Sequence, residues 1–159
     1  MIVKGNWKIY LFWILLAEGV GLLAGFLTRD ATQIYGSTMI KPPLSPPAVL
    51  FPVVWTVLYA LMGIGAARIY LSPDSSERRW SMNVFVAQLA VNFFWSLIFF
   101  NAQAYGFAFF WLLLLWALIF VMIILFSKVD RTAALLQIPY LFWVTFALYL
   151  NLGVWVLNR

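Results

Sequence analysis

Apolar residues along this chain fall into five continuous runs separated by polar punctuation, at residues 9–27, 49–71, 80–100, 105–126 and 133–157. Each run is long enough to cross a bilayer core, which takes about 20 residues as a helix. A helix satisfies its own backbone hydrogen bonds, which lipid cannot do for it. A transmembrane β-barrel is disfavoured, because its strands alternate apolar and polar positions and these runs do not. The pattern predicts an all-α fold: a polytopic membrane protein whose residues 1–159 form one five-transmembrane-helix bundle. The connections are short except the first, a proline-rich loop at 28–48. There Pro42, Pro43, Pro46 and Pro47 fix φ and remove backbone donors, so the chain should approach the second span in a stiff, non-helical form.

Composition agrees with the runs. Hydrophobic residues make up 65% of the chain and charged residues 9%, too few charges for a soluble surface. Mean hydropathy is +0.97. Lys4 and Lys8 before the first run imitate a signal peptide, but its length, the Glu18 inside it and the four similar runs behind it argue that it is retained. Cysteine and histidine are both absent. Disulfides, thiolate nucleophiles, zinc sites and His-dependent triads are thereby excluded, as are the commonest haem-iron ligands. No Gly-rich phosphate loop, internal repeat or pair of inverted halves is visible. No cofactor is required by anything in the chain.

Charge placement sets the expected orientation. Lys4, Lys8, Arg68, Arg78, Arg79, Lys128 and Arg131 fall on one side, against Arg29, Lys41 and Arg159 on the other. Positive residues gather on the cytoplasmic side. The N-terminus is therefore expected inside, with the proline-rich loop and C-terminus outside. No loop carries a basic stripe interleaved with aromatics, so nucleic-acid binding is not expected. The charges of residues 72–79 (SPDSSERR) and of Asp130–Arg131 read as solvated turns and helix starts.

A few residues within the spans invite chemistry. Phe51, Trp55 and Tyr59 follow one another at i, i+4 and i+8, one face of a helix. Gln88, Asn92 and Ser96 repeat the spacing in the third span, with Trp95 and Phe99 flanking them. Side-chain amides in lipid must be satisfied, so this stripe faces either other helices or a cavity. In the fifth span Pro139 should bend the helix, and Trp143, Ala147 and Leu150 share a face in which a small residue between two large ones leaves room for a planar guest. Tyr140 reads as core. Trp7, Trp80 and Trp155 sit near span ends and fit an interfacial belt, while Trp111 and Trp116 read as lipid-facing. Ala17, Gly21 and Gly25 form a small-residue seam that suits either a homodimer contact or packing inside one molecule. Glu18, the one acidic residue within a span, has no assigned role. No general acid or base is placed in a pocket, which disfavours ordinary acid–base catalysis.

The string K-P-P-L-S-P-P from Lys41, then F-P-x-x-W-x-x-L-Y and Met62-Gly63, resembles the hallmark of the translocator protein family, also called the tryptophan-rich sensory proteins. The resemblance continues through Gln88-Leu89, Asn92, Trp95-Ser96, Ile138-Pro139-Tyr140 with Trp143, and Leu150-Asn151. It covers essentially the whole chain in order. It implies a five-helix, often homodimeric protein of the lipid bilayer that binds porphyrins (tetrapyrroles) and other flat hydrophobic ligands. The ligand-binding candidates are then Phe51, Trp55, Asn92, Trp95, Trp143, Ala147 and Leu150. Two rival implications stand beside a receptor or sensor: a light- and oxygen-dependent porphyrin-degrading enzyme, with Trp55 and Trp143 as catalytic candidates, and a tetrapyrrole or lipid transporter. Tyr35-Gly36 departs from the Trp-Tyr of many relatives. Leu152 and Val156 stand where animal members carry a cholesterol-linked Tyr and Arg, which fits a bacterial-type member in a bacterial cell membrane.

The orientation is open to labelling. A Cys introduced within 72–79 should react with an impermeant thiol reagent only after permeabilisation, whereas one at Ser37 should react in intact cells. The reverse pattern overturns the charge-based assignment.

Overall fold

The computed structural model describes residues 5–159; Lys4, counted among the cations above, lies outside them. Among the described residues, five helical segments are long and apolar enough to span a membrane: Trp7–Leu27, Leu50–Tyr70, Ser76–Asn101, Tyr105–Ser127 and Arg131–Leu157. The all-α bundle expected from the five runs is the architecture found. The first span is α1 (Trp7–Leu27) and the second is α3 (Leu50–Tyr70). The third is α4 (Ser76–Ser96), which widens into a π-helical turn at Leu97–Asn101. The fourth is α5 (Tyr105–Ser127), and the fifth is made of two pieces, α6 (Arg131–Leu135) and α7 (Ile138–Leu157).

Local chemistry explains the starts and stops. Ser75 accepts a hydrogen bond from the Arg78 N–H (3.1 Å) and so caps α4. Asp130 caps α6 through the Ala133 N–H (3.0 Å) and also pairs with Arg68 at 3.1 Å. That ion pair ties the end of α3 to the start of the fifth span. At Leu136–Gln137 the chain leaves one helix and enters the next. Gln137 holds the junction by donating to the Leu61 carbonyl (3.1 Å). Pro139 therefore stands in the first turn of α7, where its missing N–H costs nothing. The bend expected at Pro139 lies earlier, at the α6–α7 junction.

The first loop also differs from expectation. Its opening half is an amphipathic helix, α2 (Arg29–Thr38), with Asp30 in its first turn. Only residues 39–49 form the non-helical strap. That strap is fastened to the far end of α7. Asn158 accepts from the Ile40 N–H (2.9 Å) and donates to the Ile40 carbonyl (2.7 Å), and the Tyr149 hydroxyl donates to the Pro43 carbonyl (2.6 Å).

Helices α1 and α3 make the most extensive helix–helix contact, and glycine makes it possible. A Cβ on Gly63 would collide with the Ile14 backbone, and one on Gly21 would collide with the Tyr59 ring. Ala17 is fully buried. The small-residue seam is thus consumed within the bundle at Ala17 and Gly21, while Gly25 faces open space. Helix α4 packs on α5, and α5 on α7. Two tryptophans depart from their expected places. Trp111 donates its indole N–H to the Val91 carbonyl (2.8 Å) and Trp116 donates to the Thr145 hydroxyl (2.8 Å), so both are interhelical pins rather than free lipid-facing rings. Trp155 packs over Gly106, whose Cβ would fall 2.8 Å from the indole. Trp7 and Trp80 are exposed, as a belt requires.

Gly63→Leu should lower the melting temperature of the detergent-solubilised protein sharply, since overpacking against backbone costs about 3 kcal/mol. Gly19→Ala, at a position with nothing within 4 Å, should leave it unchanged or raise it. Equal melting temperatures for the two variants would remove the α1–α3 contact as a determinant of the fold.

Candidate functional site

Helices α3 and α7 meet through aromatic side chains, Phe51 on Trp143 and Trp55 on Tyr140. Between them, with α1 and α4 as the other walls and the strap and α2 above, lies a cavity of about 730 Å³. This is within the range of small-molecule sites. The lining positions repeat at helical spacing on each wall: Glu18, Gly21, Leu22 and Gly25 on α1; Phe51, Trp55 and Tyr59 on α3; Asn92, Trp95 and Phe99 on α4 and its π turn; Trp143, Ala147 and Leu150 on α7. All seven ligand-binding candidates read from the sequence line this one space. Distance along the chain had hidden their convergence, and the resemblance had supplied it.

The walls are flat and aromatic. The Trp55 ring lies 5.5 Å from that of Tyr59, tilted by 32°. Trp143 meets Phe51 edge to face at 5.8 Å. Trp95 stacks on Phe99 at 5.1 Å, and its indole N–H donates to Asn151 (3.1 Å), which in turn donates to the Tyr105 carbonyl (2.9 Å). Such fixed rings offer area with little rotamer freedom left to lose when a guest arrives.

Behind Asn92 runs a buried polar chain. Its amide donates to the Tyr140 hydroxyl (2.7 Å), which donates to the Gln88 side-chain carbonyl (2.8 Å). Gln88 and Tyr140 are wholly enclosed, so both belong to the core, as expected for Tyr140. The two readings of the amide stripe therefore both hold, for different members. Gln88 serves interhelical bonding, whereas Asn92 and Ser96 reach the cavity. One N–H of Asn92 is committed to Tyr140, which leaves its second N–H and its carbonyl lone pairs to complete the floor.

Glu18 is the residue that sequence reasoning left without a role, and it too lines the cavity. Its carboxylate makes no hydrogen bond or ion pair among the described residues. The expectation of a pocket with no acid or base is corrected accordingly. A signal was present: Glu18 precedes Gly21 and Gly25 by three and seven positions, which places it on the same helical face. At the opposite end Lys41 lines the mouth beside Tyr35 of α2, its ammonium 5.1 Å from the ring. Burial, reinforced by the neighbouring Tyr105, pushes the Tyr35 hydroxyl up to about 12, so it remains neutral and able to donate at physiological pH. Among the described residues no group of three or more acidic side chains is placed to hold a metal ion.

Comparison with known proteins agrees with this geometry. The model of the TspO/MBR family matches residues 13–156. The chain is 35% identical over 144 residues to the tryptophan-rich protein TspO of Chlorobaculum tepidum, covering 90% of this chain and 91% of that one. It is 34% identical over 150 residues to the translocator protein of Ovis aries, covering 93% and 88%. With the tryptophan-rich sensory protein of Cereibacter sphaeroides it shares 28% identity over 153 residues, covering 96% and 93%. The family match spans every residue named above as lining the cavity, and the chain belongs to the TspO/MBR family.

Proposed function

We propose that this protein is a membrane receptor or sensor that binds porphyrins and other flat hydrophobic molecules in the cavity between α3 and α7. One observation carries the reading: Trp55, Trp95 and Trp143, from three different helices, wall a single space above a polar floor. A planar, apolar guest with a few polar edges matches that surface. Indoles stack on π-systems, and amides are held where an apolar wall alone would leave a guest unoriented. The names of the relatives, sensory and translocator protein, agree with ligand recognition in a membrane.

Porphyrin degradation driven by light and oxygen is the second reading, and its support is specific. Trp55 and Trp143 line the same cavity, each within reach of one bound ring. The two readings separate in one experiment on the wild type, Trp55→Phe, Trp143→Phe and the double variant. Phenylalanine keeps a flat ring while removing area and the N–H donor. For a receptor, each single change should weaken porphyrin binding by about fivefold, corresponding to stacking losses on the order of 1 kcal/mol. The double variant should be non-additive, since both walls touch one guest. Absorbance titration reads the affinity. For an enzyme, the variants should bind nearly normally yet no longer convert the illuminated porphyrin to a new absorbing species. A lowered melting temperature with unchanged affinity would return both indoles to core packing and overturn the binding role.

A further inference from the structure

The two ends of the cavity differ in charge. On each wall the lining stops at one residue: Glu18 on α1, Tyr59 on α3, Asn92 on α4 and Trp143 on α7. Glu18, Tyr59 and Asn92 make the polar floor, and Trp143 is the lowest residue of the aromatic wall. The lining on α1 continues upward to Thr28, ten residues beyond Glu18, which puts the mouth roughly 15 Å above the floor at helical rise. At the mouth stands Lys41. Its ammonium donates to the Gly36 carbonyl (3.1 Å) and the Met39 carbonyl (3.5 Å). With three donors available, one is left for a guest. Arg29, near the same end, is turned aside: it donates to the Phe26 carbonyl (2.8 Å) and lies over the Phe26 ring at 4.1 Å. The cavity therefore carries one carboxyl group below and one lining cation above, with aromatic walls between them.

We propose that Glu18 and Lys41 are specificity-determining residues that orient a carboxylated flat ring and select which rings are admitted. This rests on the porphyrin reading and adds to it. A ring whose carboxylates lie along one edge enters with that edge at Lys41 and its apolar edge over the floor. In the reverse orientation a carboxylate would meet the Glu18 carboxyl group between apolar walls, where like charges repel more strongly than in bulk water. A ring with carboxylates on every edge cannot avoid Glu18 in any orientation and is excluded. The floor accepts, instead, an apolar edge or a nitrogen donor that can bond the otherwise unpartnered carboxyl group.

The test uses the full chain in lipid nanodiscs and absorbance titration with three free-base probes: a porphyrin bearing two adjacent carboxylates, its dimethyl ester, and an octacarboxylic porphyrin. Wild type should bind the octacarboxylic ring at least about tenfold more weakly than the dicarboxylic one. Glu18→Gln should narrow that gap by about tenfold while moving ester affinity less than about twofold, and Glu18→Asp, which keeps the charge, should preserve it. Lys41→Gln should weaken the dicarboxylic ring about threefold and leave the ester unchanged, a smaller effect because the mouth is exposed and screened. If wild type binds the ester but the gap is absent, or survives Glu18→Gln, the orienting role falls and the porphyrin reading stands. If wild type does not bind even the ester, the porphyrin reading falls and this proposal with it.

Discussion

The site depends on which neighbour α3 is allowed to choose. Gly63 lets α3 approach the α1 backbone so closely that no side chain fits between them, and Gly21 admits the Tyr59 ring on the same contact. Held there, α3 reaches α7 through aromatic side chains, while the backbone of α7 packs on α5. In water a gap between apolar helices would collapse, because burying its surface would be favourable. In lipid that drive is weak, since acyl chains are as apolar as the walls. Helix position is then set by close backbone contact and by a few polar pins such as Arg68–Asp130 and Gln137 to Leu61. A stable opening about 730 Å³ in size is a consequence of that economy of attractive forces.

Polar groups inside the spans divide according to the same logic. Gln88, Tyr140 and Asn92 satisfy one another in a chain, and Trp95 reaches Asn151. Each is a strong local constraint on helix rotation, because breaking it would leave a donor or acceptor unmatched where no water replaces it. Glu18 stands outside this chain, a carboxyl group with no hydrogen-bond or ion-pair partner among the described residues. Polar groups inside proteins are nearly always partnered, so one left without a partner calls for an explanation. Here that group faces a space large enough to bring it a partner.

Much of this was legible in the chain. Five long apolar runs announce five spans because length and continuity suffice for that inference, and the boundaries fall within a few residues of those observed. The aromatic and small residues of the site were legible as motifs. Other features were hidden for identifiable reasons. Helix α2 (RDATQIYGST) mixes β-branched, glycine and polar residues and buries none of them fully, so its short apolar face does not stand out among loop residues. Trp111 and Trp116 find a backbone carbonyl and a threonine on other helices, partners that spacing within one helix does not reveal. Pro139 looked like a kink because the junction that makes it harmless, Leu136–Gln137, contains no glycine or proline of its own. The inward face of Glu18 followed from the rotation of α1, and Gly63 on another helix sets that rotation.

The fastening of the strap by Asn158 gives the roof of the cavity its own clock. Ile40 donates its backbone N–H to the Asn158 side chain and accepts from the same amide, so one half-buried side chain at the end of α7 closes a two-bond ring with one residue of the roof. Such an amide can exchange its hydrogen for deuterium only when the ring parts. The interior of α7, by contrast, is protected by the whole bundle and opens on a far slower scale. The exchange rate at Ile40 thus counts roof openings one at a time, separately from unfolding, and a molecule trapped beneath the strap would slow that count without altering the slow amides below it.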